Sequence, residues 1–232
     1  MSNFRASGAV VACIGAQTPT LQPLAPTLTP AYYGAFLTAL REQCREQGIS
    51  ARVWAVSSVG FNTLSPDTSA TAQEALTLQQ QIDHKAQFLA EHCLGAHDLP
   101  VVLLGHSIGA YMAHKATQQL EEGGTRRVAH VGALCPFFET TPNRTQRVLH
   151  ALSGCLGSMA ALGGMLERTG PAVRRVLRPL WAGGMGADAV VATEALFRRD
   201  AFQAAFGLAA TEFSTLTPSD AIWAELAARS DR

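Results

Sequence analysis

The sequence lacks net charge: Lys and Arg total 18, and Asp and Glu total 18, over 232 residues. So balanced a field offers no general attraction to nucleic acid or to acidic surfaces, so no nucleic-acid partner is expected and any basic patch must be local. Cysteine is sparse as well. Cys13, Cys44, Cys93, Cys135 and Cys155 are odd in number and never stand in C-x-x-C spacing, which argues against both a disulfide framework and a zinc site. A reducing compartment is expected, with no metal and no other cofactor. The charge-free stretch Ala151–Leu166 falls short of the roughly 20 residues a membrane span needs. It is also loosened by Gly154, Gly157, Gly163 and Gly164, and reads as a buried or interfacial helix. The apolar run near the N-terminus is short and breaks at Gln17, so it reads as a first strand and not as a secretory h-region.

What is present is an alternation of short β-branched runs with helical patterns over residues 1–140, the signature of βαβ units and a parallel sheet. Strands are expected near Ala9–Ile14, Ala51–Val56, Pro100–Leu104 and Val128–Leu134. Thr29-Pro30 reads as an N-cap and first-turn pair, after which Tyr33, Leu37, Leu40 and Cys44 recur at helical spacing until Gly48. Thr71-Ala72-Gln73-Glu74 reads as a capping box opening a second helix, with Leu78, Ile82, Ala86, Leu89 and Cys93 on one face. A third helix is expected to start after Ser107 and to end at Gly123-Gly124. Residues 141–232 show no convincing strand and read as a helical cap or insert on a single α/β domain, ending in a helix capped near Ser219 or Asp220 with Trp223, Leu226 and Ala227 on one face. Within this part Arg174, Arg175 and Arg178 alternate with Val173, Val176, Leu177, Leu180 and Trp181. Two readings stay open. One is the solvated face of a short cap helix; the other is a basic amphipathic segment resting on a lipid surface, with Trp181 at the interface.

Gly105-His106-Ser107-Ile108-Gly109 carries the chemistry. A serine hydroxyl is a poor nucleophile at neutral pH, and hydrolases project it from a tight strand-to-helix turn, flanked by glycines because side chains there would strike the neighbouring strand or helix. Val101–Leu104 reads as a buried strand and Ile108 onward as a helix, the context this motif requires. Ser107 is therefore the candidate nucleophile, expected at positive φ, and the backbone N–H of Ile108 the candidate oxyanion donor. Gly15 and Ala16, opening the loop after the first strand, are candidates for the second donor.

The elbow also stands in a wider pattern. "LTLQQQIDHKAQFL" ahead of "GHSIGAYM" resembles the lipid-droplet-associated hydrolase family, in which a helix carrying L-x-x-Q-[IV]-x-H-K-x-x-F precedes the elbow. Leu78, Gln81, Ile82, His84, Lys85 and Phe88 occupy those positions. "AYYGAF" at residues 31–36 resembles the aromatic pair opening the family's first helix, and "LCPFFETTPNRT" resembles its segment after the next strand. The likeness covers residues 8–150 well and the cap loosely. The family's first loop reads P-G-N-P-G where this chain has "IGAQTP", and histidines expected after the next strand are replaced in "VSSVGFN". The resemblance implies an α/β-hydrolase-like parallel sheet flanked by helices, with a helical cap. It also implies a serine ester hydrolase acting on cholesterol esters or acylglycerols, partnered with a lipid droplet or membrane surface. The localisation so implied is the droplet surface or cytoplasm, with endoplasmic-reticulum association. His84 reads as an anchor of its helix by hydrogen bonds, not as a proton carrier.

The partners of Ser107 are not apparent. In this fold acid and histidine follow the nucleophile. His114 lies in the same helix about 10 Å along its axis, His130 sits about 13 Å back along the next strand, and His150 opens the cap. Glu139 is a possible acid that lacks a histidine. The general base and acid are therefore expected beyond Arg232, the sheet to lack its terminal strands, and Ser107 to be presented but not activated. Two alternatives stand beside the hydrolase: a non-catalytic protein that keeps the fold and binds lipid surfaces, and a fragment with no independent existence.

Overall fold

The computed structural model describes residues 9–14, 33–56, 58, 77–94, 100–124, 128–138, 165, 207–208, 211–212, 214–216 and 220–230. Four strands, β1 (Ala9–Ile14), β2 (Ala51–Val56), β3 (Val101–His106) and β4 (His130–Leu134), form a sheet in the order β2-β1-β3-β4. Every pair is parallel, and β1 lies in the middle, with Ile14 opposite both Val56 and Gly105. The fold class is α/β, a parallel sheet with helices on both faces.

Alternation along the strands divides the two faces. Val53 and Ala55 of β2, with Val102 and Leu104 of β3, pack against Leu37, Leu40 and Tyr33 at helix α1 (Gly34–Glu46). Trp54 and Val56, with Val101 and Leu103, face a larger cluster built by α2 (Leu78–Phe88) and α3 (Ile108–Glu122), in which Ile82, Leu89, Met112 and Ala116 are buried. Leu208 and Leu216 join that same cluster, so part of the C-terminal stretch packs directly on the core. The last helix, α4 (Asp220–Ser230), docks on α3 and on the segment after β4 through Ile222, which packs with Ala110 and Phe138.

Several local expectations shift. The helix after β1 has Tyr33 as its N-cap, not Thr29; the Thr29-Pro30 pair lies outside the described residues. The capping box of α2 is Thr77 with Gln80, where T-L-Q-Q satisfies the same S/T-x-x-E/Q pattern as the stretch Thr71–Glu74 expected to open this helix, which lies outside the described residues. Thr77 N–H donates to Gln80 Oε1 at 2.8 Å, while Leu78 N–H is capped from afar by Thr211 Oγ1 at 3.0 Å. Beyond Phe88 the helix widens into a π-helical run, Leu89–Leu94, which periodicity alone does not reveal. There His92 lies against Trp54 and Phe88. The face that α4 buries is Ile222 with Leu226; Trp223 is exposed and touches Phe138 edge-on, and Ala227 is exposed.

Candidate active site

Ser107 stands where β3 ends and α3 begins, with φ 55 and ψ −126. This left-handed backbone is costly for a residue with a Cβ and persists only where surroundings over-determine it. Three neighbours do so. The Ser107 N–H donates to Leu134 O at 3.0 Å, extending the β3–β4 ladder by one step. The Ser107 carbonyl accepts from Ala110 N–H at 3.0 Å and from Phe137 N–H at 3.1 Å. Gly105 lets α3 fold back onto the strand: a Cβ there would stand 2.5 Å from Gly109 O and 2.6 Å from Ala110 N. The steric reason for the first glycine of G-x-S-x-G is therefore visible at this position.

Ile108 opens α3, so its N–H has no acceptor within the helix and lies at the positive end of the helix dipole. Its side chain is buried and holds that end in the core. On the α1 side of the elbow, Tyr33 Oη and His106 Nδ1 are 2.8 Å apart, and the two rings meet edge-on at 5.7 Å. Cys135, exposed and free, follows β4 at φ 44 within the same Leu134–Phe137 segment that brackets Ser107. Ser58, just past β2 at the same end of the sheet, is buried, and its hydroxyl has no hydrogen-bond partner among the described residues.

The histidines divide clearly. Among the described residues none hydrogen-bonds the Ser107 hydroxyl. His114 is buried in α3 with Nε2 3.3 Å from Glu225 Oε2, and Lys115 Nζ holds the same oxygen at 2.8 Å. Those bonds, that from Lys115 foremost, hold the Glu225 carboxyl below the usual range against a smaller opposing effect of burial. His130 is exposed at the start of β4, opposite Val102, far from the end where the elbow opens. His84 is half-buried with Nδ1 3.4 Å from Lys85 Nζ; burial first, and the ammonium second, lower its pKa. Lys85 itself is wholly buried, 3.4 Å from Gln81 Oε1, and burial brings its pKa down to about 7. The H-K pair thus belongs to the interior of α2, with Lys85 the deeper of the two.

Gly15, Ala16, Glu139, His150, Arg174, Arg175, Arg178 and Trp181 lie outside the described residues. No group of three or more His, Cys, Asp or Glu among the described residues is arranged to hold a metal ion. No described helix is long and apolar enough to cross a membrane. The Tyr33–His106 pair was missed from sequence; the aromatic pair in "AYYGAF" was its only local signal.

Comparison with known proteins bears on this geometry. The chain is 31% identical over 98 residues to the lipid droplet-associated hydrolase of Mus musculus, a match covering 38% of this chain and 28% of the mouse protein. Among solved structures it resembles RedJ, a thioesterase from the prodiginine pathway of Streptomyces coelicolor, at 19% identity and a TM-score of 0.41, over 84% of this chain and 62% of that one. It also resembles an α/β hydrolase family protein from Desulfitobacterium hafniense, at 13% identity and a TM-score of 0.42, over 91% of this chain and 70% of that one. Residues 26–230 match the model of the lipid-droplet associated hydrolases, and the chain belongs to that family of hydrolases.

Proposed function

We propose that the protein is a serine ester hydrolase acting on lipid esters, of the cholesterol ester or acylglycerol class, at a droplet or membrane surface. The observation that carries this reading is the backbone of Ser107, held at positive φ between a buried strand and a helix N-terminus in a chain of this family. In the proposed reaction Ser107 Oγ attacks the ester carbonyl carbon and loses its proton to a general base. The tetrahedral oxyanion is held by Ile108 N–H and a second backbone donor, for which Gly15 and Ala16 are the candidates. The alcohol leaves with the proton, and water then releases the fatty acid from the acyl-serine.

The base is assigned outside the described residues, since His114 is engaged with Glu225 and His130 is remote. The experiment is hydrolysis of p-nitrophenyl esters, with fluorophosphonate labelling beside it. The 232-residue chain is expected to show at most the residual acceleration of an elbow without a base, about 10³–10⁴ over water. A form extended by a histidine- and acid-bearing continuation should turn over rapidly and lose that activity on Ser107→Ala. Fast, Ser107-dependent turnover by the 232-residue chain would move the base to His150 or another residue within it. No turnover in either form would favour the lipid-surface protein without catalysis, the reading kept open by the unaccounted-for base.

A further inference from the structure

The bond between Tyr33 and His106 joins residues 73 positions apart and lies on neither partner's own element. Tyr33 is the N-cap of α1, yet its side chain makes no capping bond there. His106 is the last residue of β3 and the one directly before Ser107. It shares its side of the sheet with Val102 and Leu104, the residues that face α1.

The elbow needs support from three sides, because a strained φ persists only where the surroundings hold it. From β4 and the segment after it the support is backbone, through Leu134 O and Phe137 N–H. From α3 it is the close seat of Ala110 against Gly105 and the Ala110 N–H on the Ser107 carbonyl. Towards α1 the hydrogen bond and edge-on ring contact of Tyr33 with His106 supply it. A phenol bonded at Nδ1 and a ring packed edge-on together limit rotation of the imidazole, and with it the backbone that leads into Ser107.

We infer that Tyr33 is a positioning residue for the Ser107 elbow, acting through His106 from the N-terminus of α1. Its catalytic consequence rests on the reading of Ser107 as nucleophile, whereas the bracing itself does not. A hydroxyl displaced by even a fraction of an ångström loses alignment with the carbonyl it attacks.

The test pairs two readouts on the full chain and its variants Tyr33→Phe, His106→Leu and His106→Asn. Hydrogen–deuterium exchange is followed for the peptide spanning residues 104–110 and, as a control, for residues 112–120 in the body of α3. Fluorophosphonate labelling of Ser107 is followed as maximal rate and half-saturation separately. Tyr33→Phe and His106→Leu are each expected to speed exchange at 104–110 about tenfold and leave 112–120 unchanged, the loss of one part-buried hydrogen bond. The maximal labelling rate should fall by a similar factor with half-saturation unchanged, and the double variant should be no worse than either single one. His106→Asn, which keeps an acceptor in place of Nδ1, should restore most of both. Unchanged exchange at 104–110 in Tyr33→Phe overturns the inference, as does equal loosening of both segments, which would make the bond a general stabiliser. If the wild-type chain takes no label while exchange responds as stated, the bracing stands and the missing label reports only that no base activates Ser107 in the 232-residue chain.

Discussion

Gly105 and Lys85 show how much a single position can carry. At Gly105 the neighbour is backbone, which cannot swing aside, so Gly105→Ala must push α3 off β3. The expected cost is about 3 kcal/mol, the upper part of the range for overpacking, seen as a lower denaturation midpoint in urea. Labelling of Ser107 should be lost before the fold is. Lys85 works in the opposite direction. Its pKa falls to about 7 in the fold from an ordinary value near 10.5, so the unfolded chain binds more protons between those limits. Stability due to this group therefore rises with pH from about 7 to about 10, and the full penalty is present below pH 7. Lys85→Met, similar in length and without charge, is expected to raise the melting temperature at pH 7 and to change it little at pH 10. A melting temperature that drops equally at both pH values would mean that the contacts of Lys85 with Gln81 and His84 outweigh the desolvation.

At the scale of elements, α4 is held to α3 by two unlike devices. Ile222 buries against Ala110 and Phe138, while Glu225 accepts from Lys115 and pairs with His114. The apolar device is the larger. Ile222→Ala is expected to cost about 2–4 kcal/mol, read as easier proteolysis within residues 220–230. Glu225 is partly exposed, so Glu225→Gln should cost only about 0.2–1 kcal/mol, and less in high salt. Because its carboxyl titrates below the ordinary range, this contribution is present at neutral pH and is lost as pH falls through the lowered pKa. Limited proteolysis as a function of pH, compared between wild type and Glu225→Gln, checks the sign: only the wild type should loosen in acid.

For the molecule as a whole, the carboxyl end of the parallel sheet gathers what the chemistry needs. The elbow, the Leu134–Phe137 segment and the ends of β1 and β2 all open there, as ligand crevices do in open α/β sheets. On the proposed reading, an ester hydrolase of apolar substrates, this end must also meet a lipid surface, and residues 151–181, with Arg174, Arg175, Arg178 and Trp181, are the proposed contact. Replacing the three arginines by Glu is expected to reduce binding to vesicles containing anionic lipid by at least tenfold in a flotation assay, since each basic group near such a surface contributes about 1 kcal/mol. Equal binding by wild type and the triple variant would leave these arginines as the solvated face of a helix.

The sequence by itself determined the elements whose causes are local. Alternating β-branched runs specified β1 and β2 with their observed limits, and the glycines around Ser107, set between a strand and a helix, specified the elbow and its positive φ. Short-range rules sufficed because the clash that forbids a side chain at Gly105 involves residues only a few positions away. Two stretches satisfy the capping-box pattern ahead of α2, and the pattern alone does not say that Thr77 with Gln80 is the one that caps it. Tertiary structure alone decided the rest. That Tyr33 meets His106, that Thr211 caps Leu78, that Lys85 is buried and that His114 meets Glu225 all follow from crossovers bringing distant segments together. Periodicity states which face of an element is apolar, but the partner of a polar side chain on that element depends on strand order and helix register, which no local stretch encodes.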